Sequence, residues 1–335
     1  GDEDRVLGNS GGFVRGHVES PPGTNHHGAG RYHDEVESYS ASESSFNRGA
    51  VEGVPNGNLG KPTDYESAPY NAPGDKKVVC YFANWAWNRK GKAAFYPEHI
   101  NPQLCTHVIY AFSTYDKAKM TIAPSDIWTD VTNNFYSRIV SLKEKNPNVK
   151  VLLSIGGWAD SGDDKYSNLA HSYNSRTKFA RESLQFLKSY GFDGLAVDWH
   201  YPKCWQSNCD AGPGSDSVAF GDLLRELKKV YQPEGLLLSA TLSGYKEVID
   251  VAYHVPTLNQ LLDLMNVMVY DYHGAWESTT GHVAPLFQGP AGFDNYPNYN
   301  ANFTMEYYVA LGADRSKLIM GIPMYGQSFV LKERG

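Results

Sequence analysis

Residues 194–202 read Gly-Leu-Ala-Val-Asp-Trp-His-Tyr-Pro, and the alternation within this stretch decides the fold. Successive side chains of an extended chain face opposite ways. Leu195, Val197 and Trp199 therefore make one apolar row suited to packing under helices, and Ala196, Asp198 and His200 share the other. A strand covered by helices outside and carrying small or chemically active groups inside is the building unit of a parallel barrel.

Working outward, six further runs rich in β-branched and aromatic residues repeat along the chain: 78–84, 107–113, 150–157, 236–244, 264–272 and 318–326. Between them lie stretches of helical periodicity at 133–146, 175–191 and 217–232. In the second, Phe179, Leu184, Phe186, Leu187 and Tyr190 form the apolar stripe, and Gly191 is the expected stop. Strands alternating with helices predict the α/β class and a (β/α)8 TIM barrel over residues 77–335. Only seven strands are visible, so the barrel is expected to be C-terminally truncated after strand 7, with an open edge that exposes unpaired backbone. Residues 1–76 are rich in Gly, Ser, Asn, Pro, Glu and His, show no sustained period, and are expected to form a low-complexity disordered linker. The histidines around His27 lack any fixed geometry there, and no metal or other cofactor is expected.

The 335 residues carry 30 Lys+Arg against 37 Asp+Glu, a net charge of -7, which supplies no basic surface for nucleic acid or an anionic membrane. No apolar run reaches the ~20 residues of a bilayer-spanning helix. Four cysteines without metal-type CxxC spacing predict two disulfides, and with the sequon Asn302-Phe303-Thr304 they point to a secreted, extracellular protein.

Working residues of a parallel barrel gather at the C-terminal ends of its strands. Asp198 and His200 end the fourth predicted strand. Ser154, Gly156, Gly157 and Trp158 end the third, Tyr270, Asp271, His273 and Trp276 the sixth, and Tyr325 and Gln327 the seventh. Convergent tips bearing Trp and Tyr describe a groove that stacks on the flat faces of sugar rings.

The stretches VVCYFANWAWNR, LCTHVIYAF, LLSIGGW, FDGLAVDWHYP, MVYDYHGAW and GIPMYGQSF, in this order, resemble the strand motifs of glycoside hydrolase family 18, the chitinases and chitinase-like proteins. The loop CWQSNCDAGPGSD is similar to one in large multi-module arthropod chitinases, so further modules of a longer chain are expected partners. The family pattern on the fourth strand is Asp-Gly-x-Asp-x-Asp-Trp-Glu. Asp193, Gly194, Asp198 and Trp199 match, but Ala196 stands where the middle Asp belongs and His200 replaces the acid Glu. In the substrate-assisted family mechanism that Glu protonates the leaving oxygen, while the last Asp orients the substrate's N-acetyl group.

The resemblance implies catalytic positions at Asp198, His200, Tyr270 and Asp271. It implies sugar-binding residues among Trp85, Trp158, Trp199, Trp276, Tyr325 and Gln327, with Gln327 standing where many relatives carry Arg. It also implies the disulfides Cys80–Cys105 and Cys204–Cys209. The function expected is binding of chitin or chito-oligosaccharides with little or no hydrolysis. An active or weakly active chitinase that cleaves β-1,4-linked N-acetylglucosamine polymers and a non-binding scaffold are the alternatives.

Overall fold

A computed structural model describes residues 76–290 and 296–330. The expected linker, apart from Lys76, and the histidines around His27 lie outside the described residues.

The described residues form eight strands: β1 Val79–Ala83, β2 His107–Asp116, β3 Thr121–Pro124, β4 Lys150–Gly156, β5 Gly194–Asp198, β6 Leu237–Ser243, β7 Leu264–Met268 and β8 Leu318–Met320. Seven of them run parallel in the order β1-β2-β4-β5-β6-β7-β8, which is the barrel order, while β3 folds back antiparallel on β2. The helices are α1 Phe135–Val140, α2 Leu142–Lys145, α3 Lys165–His171, α4 Tyr173–Tyr190, α5 Asp216–Tyr231, α6 Lys246–Ala252, α7 Val255–Leu261 and α8 Ala301–Ala310.

The sheet is curled. The Tyr81 hydroxyl on β1 reaches Thr241 of β6 at 2.9 Å and Asn266 of β7 at 3.0 Å. At the rim the Lys77 ammonium donates to the Ser316 carbonyl at 2.8 Å. Among the described residues no backbone pairing joins β8 to β1.

The row assignment in β5 holds. Leu195, Val197 and Trp199 belong to the large core between strands and helices, while Ala196 packs inside the sheet with Ile109 and Leu152. Helix α4 buries Phe179 and Leu187, leaves Leu184, Phe186 and Tyr190 partly buried against the core, and stops at Gly191 in the left-handed region. At the N-terminal ends of the strands one device recurs. Asp193 accepts the Val151 backbone N–H at 2.8 Å and pairs with Lys143 at 3.1 Å; Asp263 accepts the Leu238 N–H at 2.8 Å and pairs with Lys228 at 2.8 Å. Each carboxylate satisfies an orphan donor where a strand begins, which suits the structural face of such a barrel.

Three elements differ from the sequence expectations. The helix expected over 133–146 is two short ones, α1 and α2, interrupted at Ser141, whose hydroxyl bonds back to the Arg138 carbonyl at 2.8 Å. The runs 264–272 and 318–326 pair only over Leu264–Met268 and Leu318–Met320. Beyond the Gly321 N–H bond to the Val267 carbonyl, at 2.9 Å, the segment extends without a ladder, and Pro323 has no N–H to offer one. Both disulfides form as the resemblance implies, Cys80–Cys105 with S–S 2.06 Å and Cys204–Cys209 with S–S 2.03 Å. Among the described residues no helix is long and apolar enough to cross a membrane.

Candidate functional site

The inner row of β5 ends at Asp198, 2% exposed, and His200, 8% exposed. The glycines that close β4 bring its end onto this point: the Gly157 N–H donates to the Asp198 carbonyl at 2.8 Å, and a Cβ added at Gly156 would lie 2.4 Å from the same oxygen. Both glycines have positive φ, 112° and 90°, so the SIGG run is bent where only residues without a side chain pass.

The Asp198 carboxylate is filled with donors. Thr241 donates to Oδ2 at 3.0 Å and Ser154 at 3.3 Å. His200 presents Nε2 to Oδ1. The hydroxyl bonds form a directed chain, because Thr241 spends its single proton on Asp198 and so must accept from Tyr81 at 2.9 Å. Tyr81 in turn accepts from Asn266 Nδ2 at 3.0 Å. Donors from β4 and β6 and the ring of His200 just past β5 thus converge on one carboxylate.

His200 is held on all sides. Its backbone N–H donates to Ser161 Oγ at 3.0 Å, and its ring lies 5.0 Å from Tyr201, stacked, and 6.1 Å from Trp158, edge on. The other ring nitrogen, Nδ1, is buried and has no partner among the described residues. With Nε2 committed to Asp198 and Nδ1 enclosed, neither nitrogen is presented to a molecule in the groove.

The second cluster stands at the ends of β7 and β8. The Tyr325 hydroxyl donates to Asp271 Oδ1 at 2.8 Å, and the Tyr270 and Tyr325 rings meet edge to face at 6.3 Å. Asp271 takes φ 58°, which Asp tolerates better than most side chains. Its carbonyl accepts from the Tyr245 hydroxyl. Burial, and then the Asp271 carboxylate, push the Tyr245 phenol's pKa up, so it stays a donor. Gln327 follows two residues after Tyr325, half-buried on the extended segment past β8.

The candidate stacking rings divide. Trp85 is 51% exposed and lies parallel to Phe112 at 6.0 Å, and Trp276 is 38% exposed beside Gly274. Trp158 is half-buried next to His200. Trp199 does not line the groove. It is 1% exposed, between Tyr166 at 6.2 Å and Phe220 at 5.9 Å. The parity of the strand sends it to the helix side, and its expected role in sugar binding is corrected to one in the core. Sequence reasoning missed Trp128, 52% exposed and 4.9 Å from Trp87, and the relay residues Tyr81, Thr241 and Asn266. The parity that places Asp198 inward also places Ser239, Thr241 and Ser243 on one face of β6. Trp128, which opens the π-helical turn Trp128–Thr132, had no such signal.

Residues 77–335 match the sequence profile of the family described as Glycosyl hydrolases family 18. The chain is 49% identical over 257 residues to probable chitinase 10 of Drosophila melanogaster, covering 77% of this chain and 11% of that protein. It is 37% identical over 265 residues to mouse chitotriosidase-1, covering 76% and 54%. It therefore spans about half or less of these curated relatives. Among solved structures, the Ostrinia furnacalis group II chitinase catalytic domain 2 superposes with a TM-score of 0.75 at 50% identity, over 78% of this chain and 67% of that one. Human YKL-39, described as a pseudo-chitinase with retained chitooligosaccharide binding properties, superposes with a TM-score of 0.69 at 35% identity, over 77% and 69%. The inward Asp198, the SIGG bend and the β7 tip occupy a curled parallel sheet shared with these proteins, and the chain belongs to glycosyl hydrolases family 18.

Proposed function

We propose that this chitinase-like domain binds chitin or chito-oligosaccharides and hydrolyses them little or not at all. One observation carries the reading: the imidazole at the acid position is bonded to Asp198 through Nε2 and buried at Nδ1. The family reaction needs a proton delivered to the glycosidic oxygen and an Asp free to orient the N-acetyl group. Here the group that would deliver the proton is tied to the Asp, and Ala196, fully buried, offers no second carboxyl. Catalytic groups must sit within about 0.5 Å of their productive position. General acid catalysis contributes ~10² to 10⁴ in rate, so its loss removes roughly 3 to 5 kcal/mol of barrier lowering.

Binding rests on different residues. Trp85, Trp128, Trp158 and Trp276 offer ring faces to successive sugars, and Tyr270, Asp271 and Tyr325 offer polar contacts to the central one. The pseudo-chitinase description of YKL-39 supports the combination of retained binding with absent turnover. The two disulfides support passage through an oxidising, secretory compartment.

The test pairs two assays on the full chain. Chitohexaose titrated against Trp fluorescence is expected to saturate, while reporter release from a chitotriose substrate stays at background. The double substitution Ala196→Asp with His200→Glu is expected to restore release. Wild-type turnover that His200→Ala abolishes would establish a histidine-dependent chitinase instead, and a flat titration would leave only a scaffold. A repaired row that stays silent sinks the assignment of the defect to these two positions.

A further inference from the structure

Asn302-Phe303-Thr304 is the chain's only Asn-x-Ser/Thr tripeptide with a middle residue other than Pro, and it falls on the first turn of α8. The two polar residues of the tripeptide do different things. Thr304 is fully buried, its hydroxyl donating to the Gly244 carbonyl at 2.8 Å and lying 2.7 Å from the Tyr272 hydroxyl. Asn302 is exposed. Its backbone N–H is used, on the Leu286 carbonyl at 2.9 Å, so the residue is fixed in place while its amide lines an open groove. That groove, of about 570 Å³, runs along α8 past Phe303, Glu306 and Tyr307, with Phe287 and Pro297 opposite. Phe287 is 63% exposed, and the Phe303 and Tyr307 rings stack at 5.5 Å. An exposed acceptor amide beside a wide trough with aromatic walls has room for a covalently attached sugar, and the faces of such rings are favourable surfaces for one.

We propose that Asn302 is an N-glycosylation site. The bond formed joins Asn302 Nδ2 to the anomeric carbon of the reducing-end N-acetylglucosamine of a lipid-diphosphate-linked oligosaccharide. The bond broken is the one from that carbon to the phosphate oxygen. The amide nitrogen loses one proton and the lipid diphosphate leaves. Because Thr304 is enclosed in the folded protein, the transfer takes place on the chain before this region packs. The finished glycan then lies outside the core, since Asn302 itself stays at the surface. The proposal requires the secretory route but neither sugar binding in the groove at the strand tips nor the loss of hydrolysis.

The experiment is secretion of the full chain behind an added signal sequence from insect cells, followed by intact mass and glycopeptide mass spectrometry before and after peptide N-glycosidase. The wild-type protein is expected to lose an enzyme-sensitive mass and to show Asn302 converted to Asp. Thr304→Ser, which keeps the hydroxyl and the tripeptide, should retain the modification. Asn302→Gln, which leaves Thr304 and its bonds in place, should be secreted without it. A secreted wild-type chain of unmodified mass, or an enzyme-sensitive mass that persists in Asn302→Gln, overturns the proposal. Chitohexaose titration of the same samples reads the proposed function separately.

Discussion

His107 begins β2 at the lower end of the sheet, in register with Val79 and Lys150. Its Nδ1 lies 2.8 Å from Thr106 Oγ1. Burial first, and then the Lys77 and Lys150 ammonium groups, lower its pKa from 6.5 to about 4, with Asp193 opposing them weakly. In the unfolded chain the imidazole takes up its proton near pH 6.5. In the folded protein it does not until about pH 4. Within that window the unfolded state binds more protons, so stability falls as pH falls, and above the window the residue contributes no pH dependence. Each pH unit there costs about 1.4 kcal/mol, so acidification from neutral pH to about pH 4 costs about 3 kcal/mol through this one residue. That is a large part of the ~5 to 15 kcal/mol typical of a domain. Urea unfolding of the wild type and of His107→Gln across this range isolates the effect, since all other titrating groups are common to both. The variant is expected to retain about 3 kcal/mol more of its neutral-pH stability at the acid end. Parallel curves for the two proteins would refute the reasoning, because the imidazole would then titrate alike folded and unfolded.

Two further predictions separate roles that look alike in sequence. The disulfides close segments of different length, with sequence separations of 25 for Cys80–Cys105 and 5 for Cys204–Cys209. Loop-closure entropy then predicts losses of roughly 3.5 and 2 kcal/mol when each pair is replaced by Ala, read by denaturant midpoints, and the reverse order would contradict it. Trp85→Ala should weaken chitohexaose binding by about 1 to 2 kcal/mol, roughly tenfold in Kd, with little change in stability. Trp199→Phe should do the opposite, lowering stability by roughly 1 to 3 kcal/mol while the folded protein keeps its affinity. A lost affinity in Trp199→Phe without lost stability would place that ring back in the groove.

The parts of the fold that could be read in advance are those set by short-range periodicity. Period-2 alternation in 194–199 and the stripe in α4 are local patterns, and each came out with the expected face buried. What escaped depends on contacts between distant segments or on competing local bonds. β3 is four residues ending in Pro124, too short to stand out until β2 lengthens to receive it. The break in the first helix comes from one serine's own hydroxyl. In the site, parity brought Asp198 and His200 to one face, but no local rule says which ring nitrogen meets which oxygen. Tyr81 joins Thr241 across 160 residues and Asn266 across 185, a convergence that exists only once the sheet has curled. Trp199 departs from its expected role for the opposite reason. Its place in a functional motif points to the sugar, while the parity of the strand buries it.

If the proposed reading holds, the two rows of β5 explain how the fold survives a loss of its chemistry. The outer row, Leu195, Val197 and Trp199, is packed against helices with almost no exposure, and a large-to-small change there costs roughly 2 to 5 kcal/mol. That row constrains folding. The inner row is constrained differently: Ala196 needs only to fit between Ile109 and Leu152, and the end of the row needs only to satisfy one carboxylate. A buried Asp without partners would be costly. An imidazole beside it supplies a donor at Oδ1, where Thr241 and Ser154 reach only Oδ2. His200 is thus an answer to the demand that Asp198 makes on its surroundings, and it meets that demand by directing Nε2 to Oδ1. In the proposed reading, the same hydrogen bond that stabilises the relic carboxylate is the one that withholds the proton from the substrate.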